Sequence, residues 1–399
     1  MSISIQSYLS LGILATDCAQ GVPTGDESFY RKLIREGRLL GLTVFVFTPT
    51  LIDWEQATTR GFTCLPECGG FIEINFPLPG LVYDRCFNRD AAGYRLYKYT
   101  VSRLRNTPGL RFLGAGVKGK WEVYQLLKED EQISSILPQT IRYRNLTQLL
   151  RPLDRGKILF FKPDGGSQGK GAVRILKDKK GFYYLTGKNT ENKSFSHWFH
   201  TETDFSSFVR TFAGRKPYLI QPDLNLTASE GIPFDIRSLM QKNEHGHWEL
   251  TGMAVRTGEP GSPTSNLHGG GKAREVLPFL TAHFGKYKAR QLAKDVAGYS
   301  WRIAAVLEKK RGRMAELGID FGISPDSRIW LLEVNSKPGR SAFRQLGNPK
   351  IFRKAVANPV RYAACLARHS RGQQQVPLPP CSITTVPLDQ PEWDNRHLV

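Results

Sequence analysis

Apolar and polar residues alternate in blocks along the first part of the chain. Residues 11–15 form a short apolar run, and apolar side chains recur at helical spacing over residues 29–40. A second apolar run covers residues 44–47, and a further strand-like run covers residues 80–83. Strand, helix and strand in this order predict a small α/β layer with a parallel sheet.

The later part of the chain shows a different pattern, in which strand-like runs are separated by glycine loops from residue 158 onward. A helix is expected over residues 120–128 and a long one over residues 289–307. Further strands are expected around Tyr183, Tyr218, Arg237 and Trp248, and over residues 140–143, 318–323 and 329–334. The segment after residue 371 is rich in Gln and Pro and lacks periodicity, which predicts a flexible tail.

Charge adds one constraint to this picture. The 399 residues include 56 Lys and Arg against 36 Asp and Glu, a formal net charge of +20 at pH 7. Such a balance attracts polyanions, including nucleic acid, anionic membranes and phosphate-rich ligands. The basic residues are scattered, and we find neither zinc-finger spacing nor an aromatic–basic RNA-binding signature. A basic surface around a phosphate-binding enzyme is therefore favoured over a nucleic-acid-binding module.

Targeting and redox signals are weak. The chain has no uninterrupted apolar run of about 18 residues, so we expect no transmembrane helix. The N-terminus lacks a basic leader and a small-residue cleavage site, which indicates a first strand and a cytoplasmic protein.

The six cysteines are few for this length and fit a reducing compartment. Cys64 and Cys68 lie close together, but without a second pair they are interpreted as free thiols.

The strongest local motif is a strand that delivers Lys162 into a glycine-rich loop. The loop contains Gly165, Gly166, Ser167, Gly169, Lys170 and Gly171. Glycines let backbone N–H groups approach a bound anion, and lysine supplies a compact positive charge. The order Gly-Lys-Ser/Thr of a Walker A loop is missing. Alone, such a loop is as typical of a hairpin turn as of a phosphate site, and its basic neighbours favour the phosphate site.

A second motif places polar residues in two apolar strands. Asp320 lies in the first strand, and Glu333 and Asn335 lie in the second. Residues two apart in a strand share a face, so Glu333 and Asn335 should point the same way. Hard oxygen donors on neighbouring strands suit Mg²⁺, which binds through one or two carboxylates plus substrate phosphates. A single carboxylate would indicate only a polar sheet edge, but this set predicts a metal site.

Other charged residues stand beside apolar runs. Arg237 and Arg256 interrupt strands as phosphate clamps do, although each alone is more typical of a surface salt bridge. His268 follows Asn266 and precedes three glycines; it could act as a base, although a loop histidine is more typical of a solvated residue.

One further charged pair ends the strand at residues 80–83. Asp84 and Arg85 follow this strand directly. Charged residues at the carboxyl end of a strand often face a ligand crevice in parallel sheets. A surface ion pair is an equally good interpretation of these two residues.

Taken in chain order, these residues resemble the ATP-grasp superfamily. The shared set comprises Lys120, Lys162 with its glycine loop, Gln221, Asp235, Arg237, Arg256, Asn266, Asp320, Glu333 and Asn335. Within the superfamily, the chain is similar to the YheC/YheD-type proteins, described as endospore coat-associated. This closer similarity is carried by four segments: residues 33–42 (LIREGRLLGL), 79–85 (PGLVYDR), 119–127 (GKWEVYQLL) and 331–339 (LLEVNSKPG).

The resemblance implies a role for each of these positions. Lys120 and Lys162 would hold the α- and β-phosphates of ATP, with the loop over residues 165–171 closing over the triphosphate. Asp320, Glu333 and Asn335 would hold one or two Mg²⁺ ions. The groups that stabilise the transferring phosphoryl group and the acyl phosphate would be Arg237, Arg256 and Asn266.

The segment 221–224 matches the hinge whose backbone contacts adenine in this superfamily. Many relatives carry an acidic residue where this chain has Gln221. The ribose contact is therefore left open, with Asp223 and Glu230 as candidates.

The resemblance also implies a fold and a domain order. The fold would be of the mixed α/β (α+β) class, an ATP-grasp fold in which two lobes clasp the nucleotide. We expect an N-terminal α/β domain over residues 1–115, an ATP-grasp domain over 116–370, and a flexible tail over 371–399.

The implied activity is that of an ATP- and Mg²⁺-dependent ligase that joins a carboxylate to an amine through an acyl phosphate. The acceptor could be an amino acid, a peptide or an envelope component. A phosphotransferase and a structural spore-coat protein that retains the fold are the alternatives. The resemblance adds an association with the forespore or the spore coat to the expected cytoplasmic location.

Overall fold

The computed structural model describes seven ranges of the chain. They are residues 9–17, 26–65, 70–87, 90–166, 169–227, 231–258 and 271–372. Within these ranges the chain forms three β-sheets with helices packed against them. The predicted tail lies almost entirely outside the described residues.

The first sheet is built from the N-terminal third of the chain. Its strands are β1 (Ser10–Leu14), β2 (Thr43–Phe47), β3 (Ile52–Asp53), β4 (Thr58–Cys64), β5 (Phe71–Pro77), β6 (Leu81–Asp84) and β7 (Arg111–Phe112), with helices α1 (Glu27–Leu39) and α2 (Ala91–Arg105). β1 pairs in parallel with β2 and β6, which confirms the predicted parallel layer. β1 is buried along its whole length, because parallel sheets are covered on both faces. An antiparallel hairpin, β4–β5, extends one edge.

Helix α1 shows why this layer forms. Its buried residues are Phe29, Tyr30, Leu33, Ile34 and Gly37, the spacing of one helical face. A Cβ on Gly37 would lie 2.1 Å from Cγ2 of Val44 in β2, so glycine permits the close approach of helix and strand. The helix stops before Gly41, whose positive φ of 70° disfavours other residues.

The second sheet is antiparallel and occupies the middle of the chain. Its strands are β8 (Ile141–Arg142), β9 (Leu159–Pro163), β10 (Val173–Lys177), β11 (Tyr183–Lys188), β12 (Ser194–Phe199) and β13 (Tyr218–Pro222), and the helices here are α3 (Lys120–Leu127), α4 (Glu131–Ser134), α5 (Thr147–Asp154) and α6 (Glu202–Ala213). The strand order is β12-β11-β10-β9-β13-β8. Stacked aromatic rings, including Phe161 on Tyr218 and Tyr183 on Phe205, fill the core between sheet and helices.

The third sheet is also antiparallel and carries the longest strands. Its elements are strands β14 (Phe234–Lys242), β15 (Trp248–Thr257), β16 (Lys272–Arg274), β17 (Glu316–Ile323) and β18 (Ile329–Asn335), with helices α7 (Val276–Phe284), α8 (Lys286–Arg311), α9 (Ser341–Gln345) and α10 (Pro349–Gly372). The order is β16-β15-β14-β17-β18. Helix α8 packs its apolar residues with Ile236 and Phe321 in one core cluster. Leu239 belongs to a separate cluster with α9 and α10, so the central strand is covered on both faces.

Helix α10 connects the third sheet to the N-terminal layer. Val356 and Val360 lie in the same apolar cluster as Leu33 of α1 and Val44 of β2. The Arg361 guanidinium adds an ion pair to Glu36 at 2.9 Å. The N-terminal layer is therefore completed by a helix from the far end of the described chain. The domain boundary expected near residue 115 stays a prediction.

The long elements lie close to where the sequence predicts them. The helix expected over residues 289–307 runs from Lys286 to Arg311, and the last two strands begin and end within two residues of their predicted limits. Helix α10 is not predicted by the sequence pattern. Among the described residues, no helix is both long and apolar enough to cross a membrane.

Candidate functional site

Residues from three separate segments meet between the second and third sheets. Lys120 is the first residue of α3, Lys162 lies near the end of β9, and Glu333 lies in β18. The Lys120 ammonium is 3.1 Å from the Glu333 carboxylate and donates to the Gly166 carbonyl at 3.0 Å. This places a lysine, a carboxylate and the start of the glycine loop around one point.

The charge state of Lys162 follows from this neighbourhood. Burial and the positive charge of Lys120 lower the pKa of Lys162 to about 8, although Glu333 acts in the opposite direction. Lys120 pairs with Glu333, and the ammonium of Lys162 lies close enough for its pKa to respond to both of them. An incoming anion would relieve the repulsion between the two ammonium groups.

Asp164 holds this cluster together. Its backbone carbonyl accepts the Lys120 N–H at 3.1 Å, and its carboxylate accepts the Trp121 N–H at 2.7 Å. These N–H groups belong to the first turn of α3, where a negative charge is favourable. A Cβ on Gly119 would lie 2.7 Å from the Asp164 carboxylate. Asp164 therefore ties the glycine loop to the helix that carries Lys120.

A cleft that is partly open to solvent lies beside the lysines. Its apolar wall is formed by Val123, Tyr124, Leu127, Leu137, Pro138, Leu219, Leu331, Leu332 and Val334. Its polar positions are Lys120, Thr140, Lys162, Gln221 and Glu333. An apolar cleft with a few polar groups at one end is typical of a small-molecule site.

The predicted hinge forms one side of this cavity. The Gln221 amide donates to the Thr140 hydroxyl at 2.7 Å, which fixes the side chain at the cavity wall. Asp223 follows on the same segment, and its carboxylate accepts from the Arg174 guanidinium at 2.8 Å. Its partner Arg174 lies on β10, directly after the glycine loop. Glu230, the other ribose candidate, lies outside the described residues.

A row of charged side chains crosses the third sheet next to Glu333. Arg256 is opposite Asp235 across β14 and β15, and Arg237 is opposite Asp320 across β14 and β17. The Arg256 guanidinium contacts Asp235 at 2.6 Å and Asp320 at 2.9 Å. Arg237 donates to Asp320 through Nε and Nη2, the latter at 2.9 Å. All four residues are buried, so this is no surface salt bridge.

The electrostatics of the row fix its protonation. Burial alone would raise the pKa of Asp320, but Arg237 and Arg256 more than offset it and hold the pKa at about 2. Burial lowers the pKa of Arg256, and Asp235 and Asp320 reverse this effect and raise it above the usual range. Asp320 is therefore ionised and Arg256 is charged at every physiological pH.

The three predicted metal ligands lie along the edge formed by β17 and β18. Asp320 is directly opposite Glu333, and Asn335 is two residues further along β18. Two carboxylates and an amide oxygen are suitable donors for Mg²⁺, with phosphate oxygens completing the shell. Within the described ranges, no three His, Cys, Asp or Glu side chains converge on one point. These residues therefore suit a metal ion that is bound together with phosphate better than a structural metal that is bound by protein side chains alone.

The glycine loop joins β9 to the antiparallel β10. Gly166, Gly169 and Gly171 have positive φ values of 107°, 71° and 72°, a conformation that glycine adopts without strain. A Cβ on Gly171 would also lie 2.9 Å from the Tyr218 hydroxyl. The loop is thus a hairpin connection, and its base also borders the lysine cluster.

The family model for YheC/D-like ATP-grasp proteins matches residues 109–366 of this chain. The chain belongs to the YheC/D-like ATP-grasp family. The endospore coat-associated protein YheC of Bacillus subtilis (strain 168) is 30% identical over 79% of this chain and 86% of its own. The endospore coat-associated protein YheD of the same organism is 30% identical over 80% of this chain and 70% of its own.

A solved structure supports the ATP-grasp fold. D-cycloserine synthetase DcsG superposes with a TM-score of 0.53 at 14% identity, covering 90% of this chain and 99% of that one. At that identity the similarity concerns the fold alone. The mixed α/β architecture expected from the sequence is therefore confirmed.

The YheC/D-like ATP-grasp chain brings together most of the site residues expected from its sequence. Around the cavity and the adjoining row lie Lys120, Lys162, Gln221, Arg237, Arg256, Asp320 and Glu333. Asp223 lies one residue beyond β13, and a Cβ on Gly165 would meet no atom within 4 Å. Ser167, Asn266 and His268 lie outside the described residues.

Two residues of this site were not assigned a role from the sequence. Asp164 directly follows Lys162 and Pro163, at the start of the loop. A carboxylate there is a signal for helix N-capping. The helix residue whose N–H it accepts, Trp121, lies 43 residues away in sequence. Thr140 orients Gln221 across 81 residues. Such long-range partners cannot be read from local spacing.

Proposed function

We propose that this protein is an ATP- and Mg²⁺-dependent carboxylate–amine ligase that works through an acyl phosphate. The observation that carries the proposal is the position of Lys120, Lys162 and Glu333 at one end of an apolar cavity, next to the buried row of Arg237, Arg256 and Asp320. Two lysines, two arginines and two carboxylates around one crevice suit a metal-bound triphosphate.

In this proposal the adenine ring lies against the apolar wall of the cavity, beside the backbone of residues 221–224. Lys120 and Lys162 bind the α- and β-phosphates as compact positive charges. The glycine loop, with Gly165, Ser167 and Gly169, offers backbone N–H groups to the phosphate chain. Asp223 or Glu230 remains the candidate for the ribose contact.

Asp320, Glu333 and Asn335 are proposed to hold Mg²⁺. When bound, the ion neutralises the phosphates and polarises the γ-phosphoryl group. Arg237 and Arg256 supply fixed positive charge where negative charge develops, because their partners already orient both guanidinium groups. Asn266 is proposed to act with them on the acyl phosphate.

The chemistry needs no side-chain nucleophile. A substrate carboxylate oxygen attacks the γ-phosphorus, the bond from that phosphorus to ADP breaks, and an acyl phosphate forms. The amine nitrogen then attacks the carbonyl carbon, the carbon–oxygen bond to phosphate breaks, and the nitrogen loses a proton. The protein positions both substrates and keeps water out of the crevice.

A hydroxylamine trap tests this proposal directly. The purified chain is incubated with Mg·ATP, a panel of amino acids, peptides and envelope-derived carboxylates, and hydroxylamine as a small amine. A ligase produces a hydroxamate together with equal amounts of ADP and inorganic phosphate. The Glu333→Ala variant should lose this activity, whereas Glu73→Ala, which removes an exposed partner of Arg60, should keep it.

Other outcomes would contradict the proposal. Phosphate that stays on the acceptor, with no hydroxamate, would indicate a phosphotransferase. ADP formation at background with every acceptor, from protein shown to be folded, would indicate a structural protein that retains the ATP-grasp fold.

We further propose that this protein is cytoplasmic and acts at the surface of the forespore or spore coat. Support comes from the names of the two relatives, both described as endospore coat-associated. A fluorescent fusion expressed during sporulation tests this location. Uniform fluorescence in the mother cell through coat assembly would contradict it.

A further inference from the structure

Lys337 reaches from the loop after β18 to the carboxyl ends of β1 and β6 in the first sheet. Its ammonium lies 2.6 Å from the Asp84 carboxylate, 2.9 Å from the Cys86 carbonyl oxygen and 3.2 Å from the Tyr97 hydroxyl oxygen. The side chains of Lys337 and Asp84 are 23% and 17% exposed. The contact is thus partly buried between the third sheet and the N-terminal layer.

The surroundings of this ammonium match its chemistry. Three oxygen atoms face the three N–H donors of a primary ammonium group. The nitrogen also lies 4.7 Å from the Tyr97 ring centroid and 5.9 Å from that of Phe87, distances at which aromatic faces attract cations. We call Asp84, Cys86, Phe87 and Tyr97 the ammonium cage.

The cage is held in shape by its own hydrogen bonds. The Tyr97 hydroxyl donates to the second Asp84 oxygen at 2.7 Å, and the Cys86 N–H donates to the first at 3.1 Å. The Phe87 N–H donates to the Thr16 hydroxyl at 2.8 Å. These contacts do not involve Lys337, so the oxygens would keep their positions if its side chain left.

The loop that carries Lys337 is anchored without its side chain. On one side, the Ser336 hydroxyl accepts the Val117 N–H at 3.1 Å. On the other, the Pro338 carbonyl accepts from Arg85 at 3.2 Å and also from Arg340. The loop that carries Lys337 therefore has anchors on both sides besides the ion pair to Asp84.

The position of the cage also indicates a ligand. Crevices at the carboxyl ends of parallel strands are the usual binding sites of α/β sheets. Lys337 follows Asn335 by two residues, so the cage adjoins the edge proposed to hold Mg²⁺. We propose that the ammonium cage binds a primary ammonium group of the amine substrate, and that Lys337 occupies it as an internal substitute until the substrate displaces it. This inference rests on the ligase function proposed above.

The proposal defines the acceptor class. The amine substrate carries a primary ammonium on an unbranched aliphatic segment, like the lysine side chain that now fills the cage. A neutral alcohol lacks the charge, and a quaternary ammonium lacks the three N–H donors, so both are excluded.

Calorimetric titration of the full chain with n-butylammonium tests the cage. Lys337→Met removes the internal ammonium and keeps an unbranched apolar side chain of similar length. This variant should bind n-butylammonium at least tenfold more tightly than the wild type, since the ligand no longer competes with Lys337. Neither 1-butanol nor tetramethylammonium should bind, and adding Asp84→Asn to Lys337→Met should abolish the gain.

Controls separate this inference from the ligase proposal. Lys337→Met should stay folded, with a Tm lowered at most modestly by the loss of its partly buried ion pair, and should keep the Mg²⁺-dependent binding of an ATP analogue. If it does so without gaining affinity for n-butylammonium, the cage proposal is wrong and the ligase proposal stands. Lys337→Leu is a second variant with an empty cage. Unfolding of both variants would overturn the proposal by showing that Lys337 is a structural tie.

Discussion

Lys120 and Glu333 form an ion pair in the candidate site. Their ion pair of 3.1 Å joins a group proposed to bind phosphate with a group proposed to bind Mg²⁺. Both roles require the pair to separate. Nucleotide that binds without Mg²⁺ therefore breaks the pair and leaves the Glu333 carboxylate without a positive partner. Magnesium and nucleotide should therefore bind with positive coupling.

This coupling gives a prediction for Glu333→Gln. The variant should bind ADP in the absence of Mg²⁺ about tenfold more tightly than the wild type, because a charge-assisted contact of about 1.5–3 kcal/mol no longer has to be broken. Calorimetric titration in the presence of a chelator measures the effect. Glu36→Gln, which removes the similarly buried partner of Arg361, is the control and should leave ADP affinity unchanged. Weaker metal-free binding by Glu333→Gln would contradict the coupling.

The lowered pKa of Lys162 predicts a pH dependence. Its ammonium loses its proton near pH 8 in the free site, and bound phosphate favours the charged form. Nucleotide binding should therefore take up a proton above pH 8, and affinity should fall between pH 8 and pH 9.5. Affinity measured against pH should be flat for Lys162→Arg, whose guanidinium stays charged. A flat profile for the wild type would mean that Lys162 does not contact phosphate.

The lowered pKa of Lys162 also makes the free energy of unfolding depend on pH. The native pKa of Lys162 lies below the unfolded value of about 10.4, so the unfolded state binds more protons between those two pH values. The contribution of Lys162 to the free energy of unfolding therefore rises with pH in that window.

At the scale of elements, local patterns predict the parts of the fold that are built from local contacts. Strands β9, β17 and β18 follow from alternation and composition, and the structure confirms them. Helix α10 does not show such a pattern, because residues 355–360 are buried on every face and Pro359 interrupts the sequence. The middle of α10 is thus buried on all sides, and its exposed residues, such as Arg353, lie nearer its ends.

Helix α10 should be essential for the N-terminal layer. Val360 is fully buried in the cluster that also contains Leu33 and Val44. Val360→Ala should lower the free energy of unfolding by about 1–3 kcal/mol, through lost burial and a residual cavity. Arg353→Ala, on the exposed side of the same helix, should change it by no more than about 0.5 kcal/mol. Equal effects of the two variants in urea denaturation would contradict this packing.

At the scale of the whole molecule, a buried polar network joins the first and third sheets. Glu316 in β17 accepts from the Tyr83 hydroxyl at 2.6 Å and from the Gln241 amide at 3.0 Å. Arg340 pairs with the same carboxylate, and Arg85 lies 3.7 Å from it. One carboxylate therefore balances two buried arginines where the two sheets meet.

Removal of that carboxylate should destabilise the whole chain. Glu316→Ala leaves Arg340 and Arg85 buried without their negative partner, and should reduce the free energy of unfolding by about 3–5 kcal/mol. Glu73→Ala, which breaks an exposed pair with Arg60, should cost at most about 1 kcal/mol. Thermal denaturation of the three proteins makes the comparison. A small effect of Glu316→Ala would show that the sheets are held together by apolar contacts alone.

The whole-molecule contacts also set the limit of prediction from sequence. The sequence pattern indicates the residues of the charged row as candidates, but it does not indicate which of them form ion pairs with each other. Asp320 meets Arg237 and Arg256 only because β17, β14 and β15 lie side by side, and no local spacing encodes that order. The sequence therefore predicts which groups form the site, and the sheet topology determines which of them neutralise each other.

The most direct test of the central claim is calorimetric titration with a non-hydrolysable ATP analogue, with and without Mg²⁺, for the wild type and Glu333→Ala. The account predicts that the wild type binds the analogue tightly only with Mg²⁺ and that Glu333→Ala loses the dependence on the metal. Absence of binding to folded wild-type protein, or identical magnesium dependence in both proteins, would contradict the proposed nucleotide site.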